Sequence, residues 1–399
     1  MSEISLPSTY RALQFTSSTS PPNVVTLPTP ALAAGSILIQ PLRTSVVSYI
    51  ADIFSRGNPR GYNFPLPIVP GSSTVGRVIA AASDLASLKP GALVWVDPVL
   101  RARDGSTKIL HGLNGPPSAA ATALMEGEWR NGSWAELVRV PGENVHILDE
   151  KTLLGAPADG GMGYGLDDLG YISTLLVAYG GLRDVNVLPG EIVLVAPSTG
   201  SFGGAAVHVA LALGASVIAL GRNTEVLERL KAAADVSYPS SKLVTVQMTP
   251  ELDQDGLKSA IAAAATSMGS RDGAIDVYFD ISPPKASASL HINAGILSLR
   301  PGGRVSLMGG AAGDVGIPYF QIMLRGLRLQ GTFMYTIGQV DEMIRLIETG
   351  KLKLGERYSG AKCVGRFGLE DWEEAFLVAE KEGGAGRFVL LAPNGKEEN

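Results

Sequence analysis

Cysteine is nearly absent from this chain of 399 residues, in which Cys363 is the only one. A single cysteine cannot form a disulfide within the chain, and it cannot supply the ligands of a cysteine-rich zinc site. Histidine is also scarce, with four residues, and no order of serine, histidine and aspartate suggests a hydrolase triad. The sequence therefore indicates neither a disulfide scaffold, nor a cysteine-rich zinc protein, nor a triad hydrolase.

Long apolar runs and dense basic blocks are missing as well. No apolar segment approaches the uninterrupted length that a bilayer requires, and the opening segment MSEISLPSTYRALQF has no basic region followed by an apolar one. The formal net charge is -5, so the counterion release that drives nucleic-acid binding has little to act on. We therefore expect a cytoplasmic protein that binds neither a membrane nor a nucleic acid.

The composition of 45% hydrophobic and 18% charged residues is typical of a chain with a sizeable core and more than one domain. Up to about residue 150, short β-branched runs such as SILIQPL are separated by proline and glycine, as in a partly closed β domain. From about residue 168, six apolar strands alternate with helical stretches, which predicts an α/β fold with a doubly wound parallel sheet. We expect domains at 1–167 and 168–331, with 332–399 returning to the first.

The stretch LVAPSTGSFGG ends a predicted strand and opens a predicted helix. Its glycines allow the backbone to approach a bound group, and the N–H groups and dipole of the helix favour an anion such as a diphosphate. Turns of this kind also occur for packing reasons, so the next strand is needed to decide. The cofactor contacts predicted in this turn are Thr199, Gly200, Ser201, Phe202 and Gly203.

The next predicted strand, SVIALGRN, ends in Gly221, Arg222 and Asn223, where an NAD-binding unit carries a carboxylate for the adenosine ribose. No carboxylate stands at these positions. A guanidinium can instead bind a 2′-phosphate through a charge-assisted pair and can stack on the adenine. We therefore predict NADPH as the cofactor. The alternative is an arginine that only begins a surface loop.

Over residues 10–393 the chain resembles the medium-chain dehydrogenase/reductase superfamily. VPGSSTVGRVIAA, SLKPGALVWV and GSWAELVRVPGENVHILDE are similar to landmarks of its first domain, and STGSFGGAAVHVALALGASVIAL, VYFDI and RPGGRVSLMGG to landmarks of its cofactor domain. The resemblance implies a GroES-like, partly open β-barrel domain and a six-stranded Rossmann domain. It also implies a homodimer formed through the region from GRVSLMGG to AAGDVGIPYFQIM.

The chain departs from the zinc-dependent members of that family at their ligand positions. The segment RTSVVSYIAD has no cysteine, and Gly71, Ser72 and Ser73 stand where the family has Gly-His-Glu. The lobe between Asp97 and Trp134 has no cysteine either. The resemblance is therefore to the zinc-independent branch of quinone and enoyl reductases, and we expect no metal.

Hydride transfer without a metal needs another group to stabilise a developing oxyanion or enolate, and a phenol can do so. The resemblance suggests Tyr49 and Tyr62 as candidate proton donors, although tyrosines in such a domain can also serve only in packing. It implies further cofactor contacts from Gly309 and Phe333. The apolar and aromatic side chains that it implies around a substrate are Ile50, Phe54, Phe64, Tyr164, Tyr171 and Met334.

The resemblance and the predicted site residues together imply an NADPH-dependent oxidoreductase. It would transfer hydride to an apolar small molecule, namely a quinone, an enone or another activated C=C compound. Two alternatives stay open because a fold does not settle function. One is a zinc-independent alcohol dehydrogenase or ketoreductase that acts on C=O, and the other is a non-catalytic NADPH-binding sensor.

Overall fold

The computed structural model describes residues 6–17 and 19–395. The chain divides into two compact units. Unit 1 comprises Met1–Ser173, Cys363–Gly383 and Arg387–Asn399, and unit 2 comprises Thr174–Lys362 with Gly384–Gly386. Within the described residues, no helix is both long enough and apolar enough to cross a bilayer.

The described chain consists mainly of strands up to Ile147, and strands alternate with helices from Ile172 onward, as the sequence predicts. The strands are β1 (Thr9–Gln14), β2 (Asn23–Pro28), β3 (Ser36–Val46), β4 (Thr74–Ala81), β5 (Leu93–Val96), β6 (Val99–Arg101), β7 (Lys108–Leu110), β8 (Val138–Pro141), β9 (Val145–Ile147), β10 (Ile192–Ala196), β11 (Ser216–Gly221), β12 (Leu243–Gln247), β13 (Ile275–Asp280), β14 (Leu299–Leu307), β15 (Arg328–Gly331), β16 (Lys362–Phe367) and β17 (Arg387–Leu391). The helices are α1 (Ile50–Phe54), α2 (Ala119–Glu126), α3 (Glu150–Leu154), α4 (Leu166–Leu169), α5 (Ile172–Asp184), α6 (Ser201–Ala212), α7 (Thr224–Ser237), α8 (Gln254–Met268), α9 (Leu290–Leu297), α10 (Tyr319–Leu324), α11 (Ile337–Glu348), α12 (Glu356–Ser359) and α13 (Trp372–Glu382).

Unit 1 is built around a seven-stranded sheet in the order β16-β17-β3-β4-β5-β9, with β8 also paired to β3. The long strand β3 pairs antiparallel with β4 along its length. At its two opposite ends it also pairs antiparallel with β8 and β17. One core lies among the aliphatic side chains of β3, β4, β5 and β8. A second, aromatic core includes Phe15, Phe54, Trp134 and Phe376. This is the partly closed β domain that the sequence predicts.

Unit 2 contains six parallel strands in the order β12-β11-β10-β13-β14-β15, which confirms the predicted doubly wound sheet. Every residue of β10 is buried, as expected for a strand covered on both faces. The strand order reverses between β10 and β13, whose last residues Ala196 and Asp280 pair with each other. Ligands of such sheets bind outside the carboxyl ends of the strands at this reversal. The sheet therefore presents its binding edge beside Ala196 and Asp280.

The units divide at other residues than the sequence predicts. The segment from residue 332 was expected to return to the first domain, but the chain up to Lys362 belongs to unit 2, and the first boundary lies at Ser173. Helix α11 begins with a capping box of Thr336 and Gln339 and buries one apolar face. The α12 segment is fastened to α7, where the Ser237 hydroxyl donates to the Tyr358 carbonyl. The amphipathic pattern of α11 predicts that one face of the helix is buried, but it does not indicate which of the two units that face packs in.

Candidate functional site

The turn between β10 and α6 has the geometry of an anion site. Ser198 is fully buried, and both its N–H (2.8 Å) and its hydroxyl (3.0 Å) donate to the Leu220 carbonyl of β11. A Cβ on Gly203 would lie 2.0 Å from the Pro197 carbonyl oxygen, so only glycine allows α6 to begin this close to the turn. A Cβ on Gly200 would meet nothing within 4 Å. The first N–H groups of α6, from Ser201 to Gly203, have no acceptor inside the helix, which suits a phosphate above Gly200.

The end of β11 lies directly beside this turn. A Cβ on Gly221 would lie 2.3 Å from the Thr199 Cγ2 atom, so the structure brings these two predicted cofactor contacts together. The Arg222 side chain is exposed, and the backbone around it is held by the Met248 N–H, which donates to the Gly221 carbonyl at 2.8 Å. Asn223 is the N-cap of α7, where its side chain accepts from the Val226 N–H at 3.2 Å. Capping fixes the Asn223 side chain, and Arg222 stands beside it as an exposed positive charge, with Glu225 in the first turn of α7.

The two remaining cofactor predictions lie on the loops after β14 and β15. A Cβ on Gly309 would come within 2.6 Å of the Asp280 Oδ2 atom and 2.5 Å of the Ser282 nitrogen. Phe333 is 52% exposed, and Met334, predicted to contact the substrate, has a φ of 65°. A non-glycine residue in the left-handed region costs free energy, and such residues cluster at binding sites. A Cβ on Gly180 would lie 2.3 Å from the Met334 carbonyl oxygen, so α5 packs directly against the backbone of Met334 in its left-handed conformation.

In unit 1 the two predicted proton donors lie together. The rings of Tyr49 and Tyr62 are arranged edge to face, with 6.4 Å between their centroids. Burial raises the pKa of the Tyr49 phenol well above its ordinary value, and the neighbouring Tyr62 phenol raises it further. The Arg60 guanidinium, which lies 4.2 Å from the centroid of the Tyr49 ring, opposes that rise. Tyr49 therefore stays protonated at any ordinary pH, with its ring against that of Tyr62.

Tyr62 is held by a residue that sequence reasoning missed. The Asn58 side chain accepts from the Tyr62 N–H at 3.0 Å and donates to the Tyr62 carbonyl at 2.6 Å. Asn58 has a φ of 57°, a conformation that asparagine tolerates better than most residues. The signal in the sequence is the loop RGNPRGYN, whose glycines and proline favour a tight turn. The phenol of Tyr62 is thus presented from a fixed backbone.

Three of the predicted substrate contacts are packing residues in the structure. Phe54 is fully buried on α1 between the rings of Phe15, Phe64 and Trp134, and Ile50 is buried in the same core. Tyr171 is 3% exposed and stacks on Phe388. Contact of these three residues with a substrate stays a prediction.

The other two predicted substrate contacts of unit 1 differ in exposure. Phe64 is half-buried against the Phe54 ring, with 5.0 Å between the ring centroids. Tyr164 is 8% exposed. Contact of either residue with a substrate stays a prediction.

Hydroxyl groups occupy the region where zinc-dependent relatives of the predicted family carry ligands. The buried Thr44 hydroxyl contacts Ser133 Oγ at 2.5 Å and donates to the Ser73 carbonyl at 3.0 Å. Ser73 Oγ donates to Ser45 Oγ at 3.1 Å, which contacts Ser173 Oγ at 3.0 Å. Zinc takes thiolate, imidazole or carboxylate ligands, and the described part of the chain has no group of three such side chains. The donor set around Ser73 does not fit zinc.

Comparison with known proteins bears on the same two units. Residues 34–150 match the model of the alcohol dehydrogenase GroES-like domain, and residues 202–349 match that of the zinc-binding dehydrogenase domain. The chain belongs to the medium-chain dehydrogenase/reductase superfamily. Both matches follow the order in which this superfamily carries its catalytic and cofactor domains. The family matched by residues 202–349 is called zinc-binding, whereas the side chains around Ser73 offer hydroxyl donors.

Curated relatives of this superfamily member match over most of both chains. An L-threonine 3-dehydrogenase of Anaeromyxobacter sp. (strain K) is 24% identical over 91% of this chain and 93% of the relative. An alcohol dehydrogenase of Geobacillus stearothermophilus is 25% identical over 82% of this chain and 83% of the relative. Identities this low go with a shared fold and leave the substrate open.

Solved structures of similar fold include members that differ in cofactor and chemistry. The alcohol dehydrogenase RspB of E. coli CFT073, in complex with NADH, matches with a TM-score of 0.72 and 16% identity over 97% of this chain and 100% of that one. The crotonyl-CoA carboxylase/reductase AntE, in complex with NADP, matches with a TM-score of 0.70 and 18% identity over 98% and 96%. At these identities the likeness concerns the fold alone.

Proposed function

We propose that this protein is an NADPH-dependent oxidoreductase that transfers hydride, without zinc, to an apolar quinone, enone or other activated C=C compound. The observation that carries the proposal is the donor set of unit 1, in which hydroxyls stand where zinc ligands are expected and two phenols lie side by side. Without a Lewis acid, the oxyanion that develops on an unactivated carbonyl depends on hydrogen-bond donors alone, so hydride transfer to it is harder. An activated C=C bond spreads that charge over an enolate, which a phenol can protonate.

The choice of NADPH as the proposed cofactor is based on the sheet edge formed by Thr199, Gly221 and Arg222. Relatives in this superfamily are described with NADH and with NADP, so the family alone does not choose between them. Arg222 favours the 2′-phosphate, the α6 N-terminus suits the diphosphate, and the loops carrying Gly309 and Phe333 would hold the nicotinamide half. When bound, NADPH would supply the hydride. The chain would contribute binding, orientation and exclusion of water.

Tyr62 is the proposed proton donor, and Tyr49 is its proposed support. In the proposed arrangement Tyr49 donates to the Tyr62 oxygen, so that the proton of the Tyr62 hydroxyl is directed to another acceptor. Asn58 fixes the backbone from which that phenol projects. In this arrangement Tyr62 would hold its proton toward the substrate carbon or oxygen, and the Tyr49 hydrogen bond would stabilise the phenolate left behind. General acid catalysis of this kind typically contributes a factor of about 10² to 10⁴.

A carbonyl reductase is the second candidate, favoured by the names of the curated relatives, which are alcohol and threonine dehydrogenases. The same phenol could protonate an alkoxide. The cytoplasmic location predicted from the sequence stays a prediction under either candidate. Both candidates differ from a cofactor-binding sensor in showing turnover.

A homodimer is part of the proposal. Helix α10 buries none of its residues, and Tyr319, Phe320, Met323 and Leu324 are between 59% and 77% exposed. The neighbouring strand β15 is an edge of the six-stranded sheet and is mostly exposed. An uncovered apolar helix beside an open strand edge suits pairing with a second copy. Each copy would then cover the apolar surface of the other.

The test is NADPH oxidation measured against quinones, enones and ketones, with and without prolonged chelator treatment. Chelator-resistant turnover of quinones or enones supports the proposal. Turnover of ketones alone favours the carbonyl reductase. Tight NADPH binding with no turnover supports the sensor. Activity that disappears when zinc is removed by the chelator, and returns when zinc is added back, overturns the metal-free mechanism.

A further inference from the structure

The end of β13 carries a network of buried polar side chains that the proposed chemistry does not use. Asp280 is 4% exposed, Ser282 and His291 are 2% exposed each, and Tyr278 is fully buried. Tyr278 donates to Asp280 Oδ1 at 2.9 Å, and the Ser282 hydroxyl donates to the same oxygen at 2.6 Å. The chain thus buries a carboxylate at the carboxyl end of a central strand.

Ser282 joins this carboxylate to a histidine. The His291 Nε2 atom lies 2.8 Å from Ser282 Oγ and 3.7 Å from Asp280 Oδ1. Because the Ser282 proton goes to Asp280, the Nε2 atom of His291 is the donor to Ser282 Oγ. The Nδ1 atom of His291 contacts the Ser289 hydroxyl at 2.6 Å. The network therefore runs from β13 to the beginning of α9, with each member hydrogen-bonded.

The same residues lie between two loops at the binding edge. Past the end of β13, the backbone continues to pair with the loop after β14. The Met308 N–H donates to the Asp280 backbone carbonyl at 2.9 Å, and the Gly310 N–H donates to the Ser282 backbone carbonyl at 2.8 Å. On the other side, Ile281 N–H donates to the Ala196 carbonyl at 3.0 Å. Ser282 thus connects the loop after β13 to the predicted cofactor loop that carries Gly309.

Asp280 and Gly309 bring the loop after β13 into contact with the loop after β14. Because any side chain at Gly309 would collide with Asp280 Oδ2 and the Ser282 backbone, the two loops are in direct contact there. Burying polar groups costs free energy when they lack partners, and an apolar contact would hold the loops together without that cost. A fully satisfied polar network instead fixes one arrangement of the backbone.

We propose that Asp280, Ser282 and His291 are positioning residues that set the loop carrying Gly309, and through it the place of the nicotinamide half of the cofactor. None of the three is proposed to touch the reacting atoms. The adenosine and diphosphate half binds at the edge formed by Thr199, Gly203 and Arg222, which the network does not contact. This inference rests on the proposed function, since it assumes that a nicotinamide dinucleotide binds at this edge.

The test compares two ligands by isothermal titration: NADPH and 2′-phosphoadenosine diphosphoribose, which lacks the nicotinamide. Wild-type protein is expected to bind NADPH more tightly than the fragment. Ser282→Ala and Asp280→Asn are expected to weaken NADPH binding about tenfold while changing the fragment affinity less than twofold, since a lost hydrogen bond to a charged group has about that effect or more. Ser298→Ala is the matched control, because that hydroxyl donates only within α9, to the Ala294 carbonyl at 2.8 Å.

The outcomes distinguish failure of the positioning role from failure of the proposed NADPH-dependent function. Equal losses for both ligands would mean general destabilisation and would overturn the positioning role, as would unchanged NADPH binding. If Ser282→Ala does not fold, the isosteric Asp280→Asn carries the comparison, together with the emission of bound NADPH, which reports the surroundings of the nicotinamide. Wild-type protein that binds neither ligand would overturn the proposed function itself.

Discussion

The Asn58 side chain binds both backbone polar groups of Tyr62, with its Oδ1 3.0 Å from the Tyr62 nitrogen and its Nδ2 2.6 Å from the Tyr62 carbonyl. Few side chains reach the same residue with both a donor and an acceptor. The arrangement fixes the backbone from which the Tyr62 phenol projects, and substitution of either phenol by phenylalanine leaves both hydrogen bonds in place.

Tyr62→Phe is expected to lower the single-turnover rate of NADPH oxidation by a factor of about 10² to 10⁴, since it removes the proposed proton donor. Tyr49→Phe removes only a supporting hydrogen bond and should lower that rate about tenfold or less. NADPH affinity should be unchanged in both, as measured by fluorescence titration. Wild-type single-turnover rates in both variants would mean that the proton comes from water or another group.

Gly203→Ala and Gly200→Ala form a matched pair of equal size in one turn. The new Cβ at residue 203 would lie 2.0 Å from the Pro197 carbonyl oxygen, whereas the one at residue 200 would meet nothing within 4 Å. We expect Gly203→Ala to lower the thermal midpoint and to abolish NADPH binding. Gly200→Ala should keep the stability and lose affinity only if a ligand occupies the space above it. Equal behaviour of the two variants in calorimetry would contradict the packing described for α6.

Arg222→Ala is expected to weaken NADPH binding about ten- to a hundredfold and to leave NADH binding nearly unchanged, because one charge-assisted contact to the 2′-phosphate is lost. Arg345→Ala, an exposed arginine on α11, is the control for the loss of one positive charge. Titration with both dinucleotides decides the question. Parallel losses for NADPH and NADH would remove the assignment of Arg222 to the phosphate.

His208 should make unit 2 less stable in acid. Burial lowers its pKa from 6.5 to about 4, while its Nε2 donates to the Lys353 carbonyl at 2.7 Å. The unfolded chain binds a proton that the folded chain excludes, so the stabilisation is present above about pH 6.5 and is lost as the pH falls toward 4. Each unit of pKa difference corresponds to about 1.4 kcal/mol at most. Calorimetry from pH 7.5 to 4.5 should show a shallower decline for His208→Gln; an unchanged slope would count against this source of acid sensitivity.

The dimer proposal is tested at α10. Phe320→Glu and Met323→Glu place charges on its exposed apolar surface and should convert a dimer into monomers in sedimentation velocity at micromolar concentration. Leu377→Glu is the control, since Leu377 is 58% exposed on α13 of unit 1. A monomeric wild type, or a dimer that survives both α10 variants, would refute the proposed interface.

The sequence was sufficient for the six strands of unit 2 because strands and helices alternate regularly there and most of the strands, among them β10, β11 and β13, are apolar runs. It was also sufficient to place Thr199 near Gly221, since the ends of adjacent parallel strands meet at one edge. It was insufficient to show that Phe54 packs among the rings of Phe15, Phe64 and Trp134, because these rings come from segments far apart in the chain. The link from Asp280 to His291 depends on how α9 returns to the sheet, which no local pattern encodes.

Asn223 as the N-cap of α7 has a consequence for how cofactor preference could change over time. Aspartate caps helices as well as asparagine does, so Asn223→Asp would keep the start of α7 intact. The same substitution would place a carboxylate at the end of β11, where it would repel a 2′-phosphate and accept from a ribose hydroxyl. Together with loss of Arg222, it offers a two-step route between the phosphorylated and unphosphorylated dinucleotides along which the fold loses little stability. Selection on cofactor supply could therefore act at this strand end without a compensating change elsewhere in the chain.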